Sequence, residues 1–371
     1  MKTKQTIVKS ITALFSVSVI FAIILLASSC GSGGLKAGEI DTTRGLKDFY
    51  AKFFPIGVAV APNSLEGETG EMIKKHFNSI TASNVMKPQL LQPEEGVWNW
   101  EPADKIVDFA MANGMKVRGH TLCWHSQTGA WMWVDTAGNP ASKELAMARL
   151  KEHITQVVTR YKGKVYAWDV LNEVISDRDT GSVYRMTPWL KICGEEYIPA
   201  IFRWAHEADP DAILYYNDYN TENPGKRERI YNMVKKLQED GVPIHGVGLQ
   251  AHWNVGDPSA DAIRESIEKF ASLGLDVQFT ELDVTIYTSR NDTIGTGFTP
   301  EREQRQIDFY KNAFSVFREK KENITGVTFW NVSDRGSWLD RRGPASVTKV
   351  YPLLFDSELQ PKKAFWEVVR F

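Results

Sequence analysis

Two glutamates stand directly behind strand-like apolar runs. Glu173 follows Tyr166-Ala167-Trp168-Asp169-Val170-Leu171-Asn172, and Glu281 follows Val277-Gln278-Phe279-Thr280. Two carboxyl groups that face each other can divide acid and base work. One stays protonated and gives a proton; the other stays ionised and attacks or activates water. Hydrolysis of a glycosidic bond uses such a pair, about 5–5.5 Å apart for retention of configuration and wider for inversion. Glutamate has the reach to span that gap. The plainer alternative is two ion pairs on the rim of a fold. His120, His125, His252 and Asp283 are residue types that also suit a metal. No H-x-H or H-E-x-x-H spacing joins them, so a metal-dependent barrel hydrolase is the alternative and not the first reading. No G-x-G-x-x-G follows a strand-like run, and neither a dinucleotide nor another cofactor is expected.

Eight short runs rich in Val, Ile, Thr and aromatic residues supply the frame: residues 56–60, 79–84, 116–124, 165–173, 212–217, 246–253, 276–284 and 325–332. Such composition suits buried parallel strands. Between them lie amphipathic segments at 103–113, 143–161, 227–240, 261–273 and 300–320. In the first, Ile106, Val107, Ala110 and Met111 share a face and Gly114 ends the helix. Strand and helix alternate about eight times, which predicts an α/β (β/α)8 TIM barrel in a single domain over a two-domain doubly wound sheet. Chemistry then belongs at the C-terminal ends of the strands. Seven of the eight runs end in polar or aromatic side chains: Asn84 with Lys87, then His120, Trp124, His125 and Gln127, then Asn172-Glu173, Asn217 to Asn220, Gln250 and His252, Glu281 and Asp283, and Trp330 with Trp338 beyond. Staves four and seven face each other across such a mouth.

Trp168-Asp169-Val170-Leu171-Asn172-Glu173 and Phe279-Thr280-Glu281-Leu282-Asp283 resemble the acid/base and nucleophile signatures of family 10 glycoside hydrolases, the retaining endo-β-1,4-xylanases. Gly119 to Gln127, Tyr216 to Asn220 and Gly246 to His252 resemble that family's strand-three, strand-five and strand-six motifs, in family order over residues 45–371. The resemblance implies Glu173 as general acid and then base, and Glu281 as nucleophile. It implies that His252 bonds the nucleophile while Asp283 holds the other ring nitrogen and fixes the tautomer. Asn172 would bond the sugar 2-hydroxyl. Asn84, Lys87, His120, Trp124, Gln127 and Gln250 would bind the substrate with Tyr219, and Trp330 and Trp338 would lay apolar faces over the sugars. Xylan or its oligosaccharides is the implied partner; β-1,4-glucan or an aryl-cellobioside is the alternative substrate. A non-catalytic sugar-binding protein is disfavoured because both glutamates are present. Three positions depart from the family pattern. Ser83 stands where Glu is usual, Pro88 where Trp is usual, and Asn331 where Gly is usual. Losing the charge-assisted bond of that Glu costs on the order of 1.5–3 kcal/mol at one sugar subsite.

The first residues read as an address. Lys2, Lys4 and Lys9 precede an apolar run from Ile11 to Ala27, and Ser28-Ser29-Cys30 follows. This resembles a bacterial lipoprotein signal over residues 1–29 with Cys30 as the lipidated residue. Residues 30–44 then form a flexible tether and residues 45–371 the catalytic barrel. The implied location is an exported, membrane-anchored lipoprotein, in the periplasm or at the cell surface. With 44 Lys and Arg against 46 Asp and Glu, the net charge is −2, and no basic field invites nucleic acid. A monomer is the default expectation. Cys123 and Cys193 are expected as free or buried thiols. The composition holds 12 Trp, 12 Tyr and 18 Phe. Flat aromatic surface suits a sugar cleft and a large core alike. Most of the tryptophans are expected in packing, with Trp131 and Trp133 as exceptions in a loop near the cleft.

Overall fold

The computed structural model describes residues 40–178, 181–289, 291–292, 297–344 and 347–371. The signal, Cys30 and most of the tether lie outside the described residues. Residues 40–371 form one compact unit. The described end of the tether carries a turn closed by Arg44 N–H on the Asp41 carbonyl, and Ile40 packs against the core.

Among the described residues, nine strands build the barrel: β1 (Ile56–Val60), β2 (Ser79–Ala82), β3 (Lys116–Trp124), β4 (Val165–Asn172), β5 (Ile213–Asp218), β6 (Gly246–Leu249), β7 (His252–Asn254), β8 (Asp276–Thr285) and β9 (Ile324–Phe329). All pairings are parallel, β1 with β9 and β6 with β8 closing the ring. Nine strands make eight staves because β6 and β7 lie in succession along β8, with Leu249 opposite Phe279 and His252 opposite Asp283. The expected run 246–253 is therefore broken. Ala251 adopts φ +62, which interrupts the ladder and swings the chain at the cleft edge. Helices follow the expected segments closely, at Glu101–Ala112, Lys143–Arg160, Pro224–Glu239, Ala260–Ala271 and Pro300–Glu319. Gly67–His76, Pro188–Cys193, Tyr197–Ala208 and Lys363–Val368 add helices that the sequence reading passed over.

One apolar layer holds the frame: outward strand side chains such as Val58, Ile80 and Val117, all fully buried, lie on the face of the sheet that meets the helices. Inside the barrel lies something the apolar pattern hides. Arg118 on β3 makes a two-pronged pair with Asp169 on β4, and its Nε donates to Gln278 Oε1 on β8 at 3.0 Å. Strands β3 and β8 are not neighbours, so this link crosses the interior. A buried guanidinium is tolerated because its donors find a carboxylate and an amide.

Candidate active site

The two glutamates end β4 and sit within β8, on staves across the mouth from one another. Glu173 N–H donates to the Asn217 carbonyl at 2.9 Å, which ties the end of β4 to β5. A chain of amides joins the carboxylates. Gln250 Nε2 donates to Glu173 Oε1 at 3.0 Å and to Asn172 Oδ1 at 3.3 Å. Asn217 Nδ2 donates to the same Asn172 oxygen at 2.8 Å and to Glu281 Oε1 at 2.9 Å. Asn172 Nδ2 also donates to Glu173 Oε1 at 3.2 Å. Thr280 Oγ1 donates to Asn217 Oδ1 at 2.6 Å and so fixes which way that amide faces.

The other oxygen of Glu281 meets His252. His252 Nε2 lies 3.1 Å from Glu281 Oε2 and its Nδ1 lies 2.9 Å from Asp283 Oδ1. Both ring nitrogens face carboxylates. Burial pushes the imidazole pKa down, but Asp283 and Glu281 outweigh it and raise it to about 10. A ring between two carboxylates is favoured as the cation that donates from both sides, on the two partners that the sequence pointed to. Burial alone would raise Glu281; the His252 hydrogen bond and the charges of His120, His252 and Lys87 pull it down to about 2. Trp338 Nε1 donates to the second oxygen of Asp283 at 2.9 Å.

The expected sugar-binding residues converge beside this centre. Lys87 is buried, and its Nζ donates to Asn84 Oδ1 at 3.0 Å and Gln127 Oε1 at 2.9 Å while lying 5.1 Å from the Trp124 ring centre. Burial pushes its pKa down, against the pull of Glu281 and Glu173. His120 Nδ1 lies 2.9 Å from Asp169 Oδ2, and its ring meets Trp330 edge-on at 5.2 Å. Trp330 stands between His120 and His252. Of the two strand-three histidines, His120 is the more buried; His125 is half-buried, with its Nδ1 unpartnered among the described residues. Tyr219 stands apart from this cluster. Its hydroxyl donates to Asp177 at 2.6 Å and accepts from Arg185 at 2.8 Å. Trp338 carries the Arg342 guanidinium over its ring at 4.4 Å, so that face is covered.

Trp131 and Trp133 do not join the cleft as expected. Trp131 donates to the Gln92 carbonyl and lies under Arg149; Trp133 packs edge-on against Trp189. Cys123 and Cys193 are free and buried. Among the described residues, no group of three or more His, Cys, Asp or Glu is arranged to hold a metal ion. Sequence reading missed Thr280, Arg118 and Arg185, and gave Asn217 no role. Only the polar ending of the fifth run hinted at Asn217.

Residues 45–371 match Glycosyl hydrolase family 10. The chain belongs to that family. The barrel with two glutamates on facing staves is thus the family 10 frame. A β-1,4-xylanase of Dictyoglomus thermophilum is 49% identical over 360 residues, covering 96% of this chain and 99% of that protein. An endo-1,4-β-xylanase B of Paenibacillus barcinonensis is also 49% identical, covering 86% and 96%. The crystal structure of a Paenibacillus barcinonensis xylanase with a conduramine derivative superposes with TM-score 0.85 at 47% identity, covering 89% of this chain and 99% of that one. A mutant structure in complex with xylotriose gives TM-score 0.85 at 43% identity, covering 89% and 100%.

Proposed function

We propose that this family 10 enzyme is an endo-1,4-β-xylanase, cleaving internal β-1,4 bonds of xylan with retention. The observation that carries the mechanism is the asymmetric wiring of the two carboxyls. Glu281 is buried and held by a protonated imidazole, which keeps it ionised and aimed. The Glu173 carboxyl is half-buried and accepts from the side-chain amides of Gln250 and Asn172, with no ion pair to it among the described residues.

Glu173 gives its proton to the leaving glycosidic oxygen while a Glu281 oxygen attacks the anomeric carbon. The C–O bond to the leaving sugar breaks and a glycosyl ester to Glu281 forms. Glu173, now a carboxylate, takes a proton from water. That water attacks the same carbon, the ester bond breaks, and Glu281 returns to its ionised form. Asn172, whose Oδ1 accepts from Asn217 and Gln250, bonds the sugar 2-hydroxyl in this reading. Lys87, Asn84, Gln127, His120, Trp124 and Trp330 bind the glycone, and Tyr219 the leaving side. We also propose that Cys30 anchors the exported enzyme to a membrane through lipid.

A polysaccharide panel on the wild type, Glu173→Ala and Glu281→Ala tests this. Xylan is expected as the preferred substrate over β-glucan, with both variants at least a thousandfold slower and the wild type indifferent to EDTA. Xylan cleavage surviving in Glu281→Ala would sink the mechanism. A preference for β-1,4-glucan would move the substrate to the alternative, since a C5 hydroxymethyl group is all that separates the two sugars.

A further inference from the structure

Glu173 is a non-glycine residue with φ +59. A side chain in the left-handed region is strained and must be held by its surroundings. On the strand side, its N–H is held by Asn217. On the other side Ile175 N–H donates to the Tyr216 hydroxyl on β5 at 3.2 Å, and Arg185 holds the two residues before it. Arg185 Nε donates to the Glu173 carbonyl at 3.1 Å, and Arg185 N–H donates to the Val174 carbonyl at 2.7 Å. An antiparallel bridge joins Ile175 with Tyr184, and Ser176 N–H donates to the Val183 carbonyl. The guanidinium is itself fixed: Nη2 donates to Asp177 at 3.0 Å and to the Tyr219 hydroxyl at 2.8 Å. Asp177 is held in turn by Lys226, which is buried and also pairs with Asp218 on β5.

We propose that Arg185 is a positioning residue for proton transfer: its guanidinium fork braces the Glu173 backbone against the fifth stave, so that the carboxyl keeps its place at the leaving oxygen. This rests on the reading of Glu173 as the acid/base. Lysine cannot replace the fork, because one ammonium cannot reach a carbonyl, a carboxylate and a phenol in these three directions at once. Arg185 acts through Glu173 and needs no contact with sugar.

The test compares two aryl β-xylobiosides that differ in leaving ability. 2,4-Dinitrophenolate departs with little protonation; phenolate needs it. A residue that serves proton transfer is selective between them, whereas a residue that supports the fold or binds the glycone lowers both alike. Arg185→Ala is expected to lose at least tenfold more kcat/KM on the phenyl than on the dinitrophenyl substrate. Arg185→Lys, which keeps the charge and is the milder change for folding, is expected to show the same ordering. Glu173→Ala runs beside them. If Glu173→Ala is selective and both Arg185 variants lose equally on the two substrates, the positioning role is overturned and the acid/base reading stands. If Glu173→Ala also loses equally on both, the acid/base reading falls and the positioning role falls with it. A raised KM with unchanged kcat on both substrates would make Arg185 a binding residue and overturn the proposal.

Discussion

Glu281 is the residue whose chemistry depends most on its neighbours. A buried carboxylate left alone would take up a proton; His252 prevents that. Replacing His252 by Asn removes a positive charge 3.1 Å from Glu281, so its pKa rises. The acid limb of kcat/KM is expected to move upward past about pH 4.5 in His252→Asn, measured on an aryl xylobioside; an unmoved limb would refute it. The same histidine sets a stability trend. Its folded value of about 10 exceeds the ordinary 6.5 of the free side chain. The pairing therefore stabilises fully below pH 6.5 and fades as pH rises toward 10. The wild type is expected to lose more Tm between pH 6.5 and 9.5 than His252→Asn. Ser83 shows a loss at the same scale. Its hydroxyl donates to the Val60 carbonyl at 3.0 Å, beside Asn84 and Lys87. Ser83→Glu is expected to lower KM on short xylo-oligosaccharides roughly tenfold, in line with about 1.5 kcal/mol for one charge-assisted bond; an unchanged KM would show that this carboxylate is not needed here.

At the scale of elements, the strands were the most legible part. Buried parallel strands advertise themselves as Val- and Ile-rich runs with polar ends, so eight staves and most of the cleft residues could be read from the chain. The break between β6 and β7 could not, because a left-handed Ala251 carries no compositional mark. Helix Tyr197–Ala208 was also passed over, although Ile198, Ile201, Phe202 and Ala205 recur there at helical spacing and are buried. Close approaches are as silent as Ala251. A Cβ on Gly248 would lie 2.3 Å from Asn217 Oδ1 and 2.9 Å from Thr280 Cγ2. Gly248→Ala on β6 must therefore push aside the amide that orients Asn172 and Glu281. Overpacking of this kind costs about 1–3 kcal/mol. Chemical denaturation is expected to show that loss, together with a fall in kcat larger than any change in KM; a variant as stable and active as the wild type would mean that Asn217 has room to spare.

For the whole molecule, anchor and barrel are separate questions with separate tests. Cys30→Ala is expected to move the activity from the membrane fraction to the soluble fraction with the same kcat on soluble xylan; activity that stays in the membrane fraction would refute the lipid anchor. The twelve tryptophans resolve at this scale too. Trp98 and Trp100 stack at 4.4 Å in a helix-side layer, whereas Trp124 and Trp330 reach the cleft. The linear chain by itself determined the alternation of strand and helix, the barrel, and which residue types end at its mouth, because each follows from local hydrophobic period and from where strands must meet water. Only the tertiary structure decided the rest. Arg118 finds Asp169 and Gln278 across the interior, Arg185 closes back on Glu173, and His252 becomes a cation because two carboxylates distant in sequence converge on its ring. Charge state and aim depend on distances between groups, and those exist only once the barrel has closed.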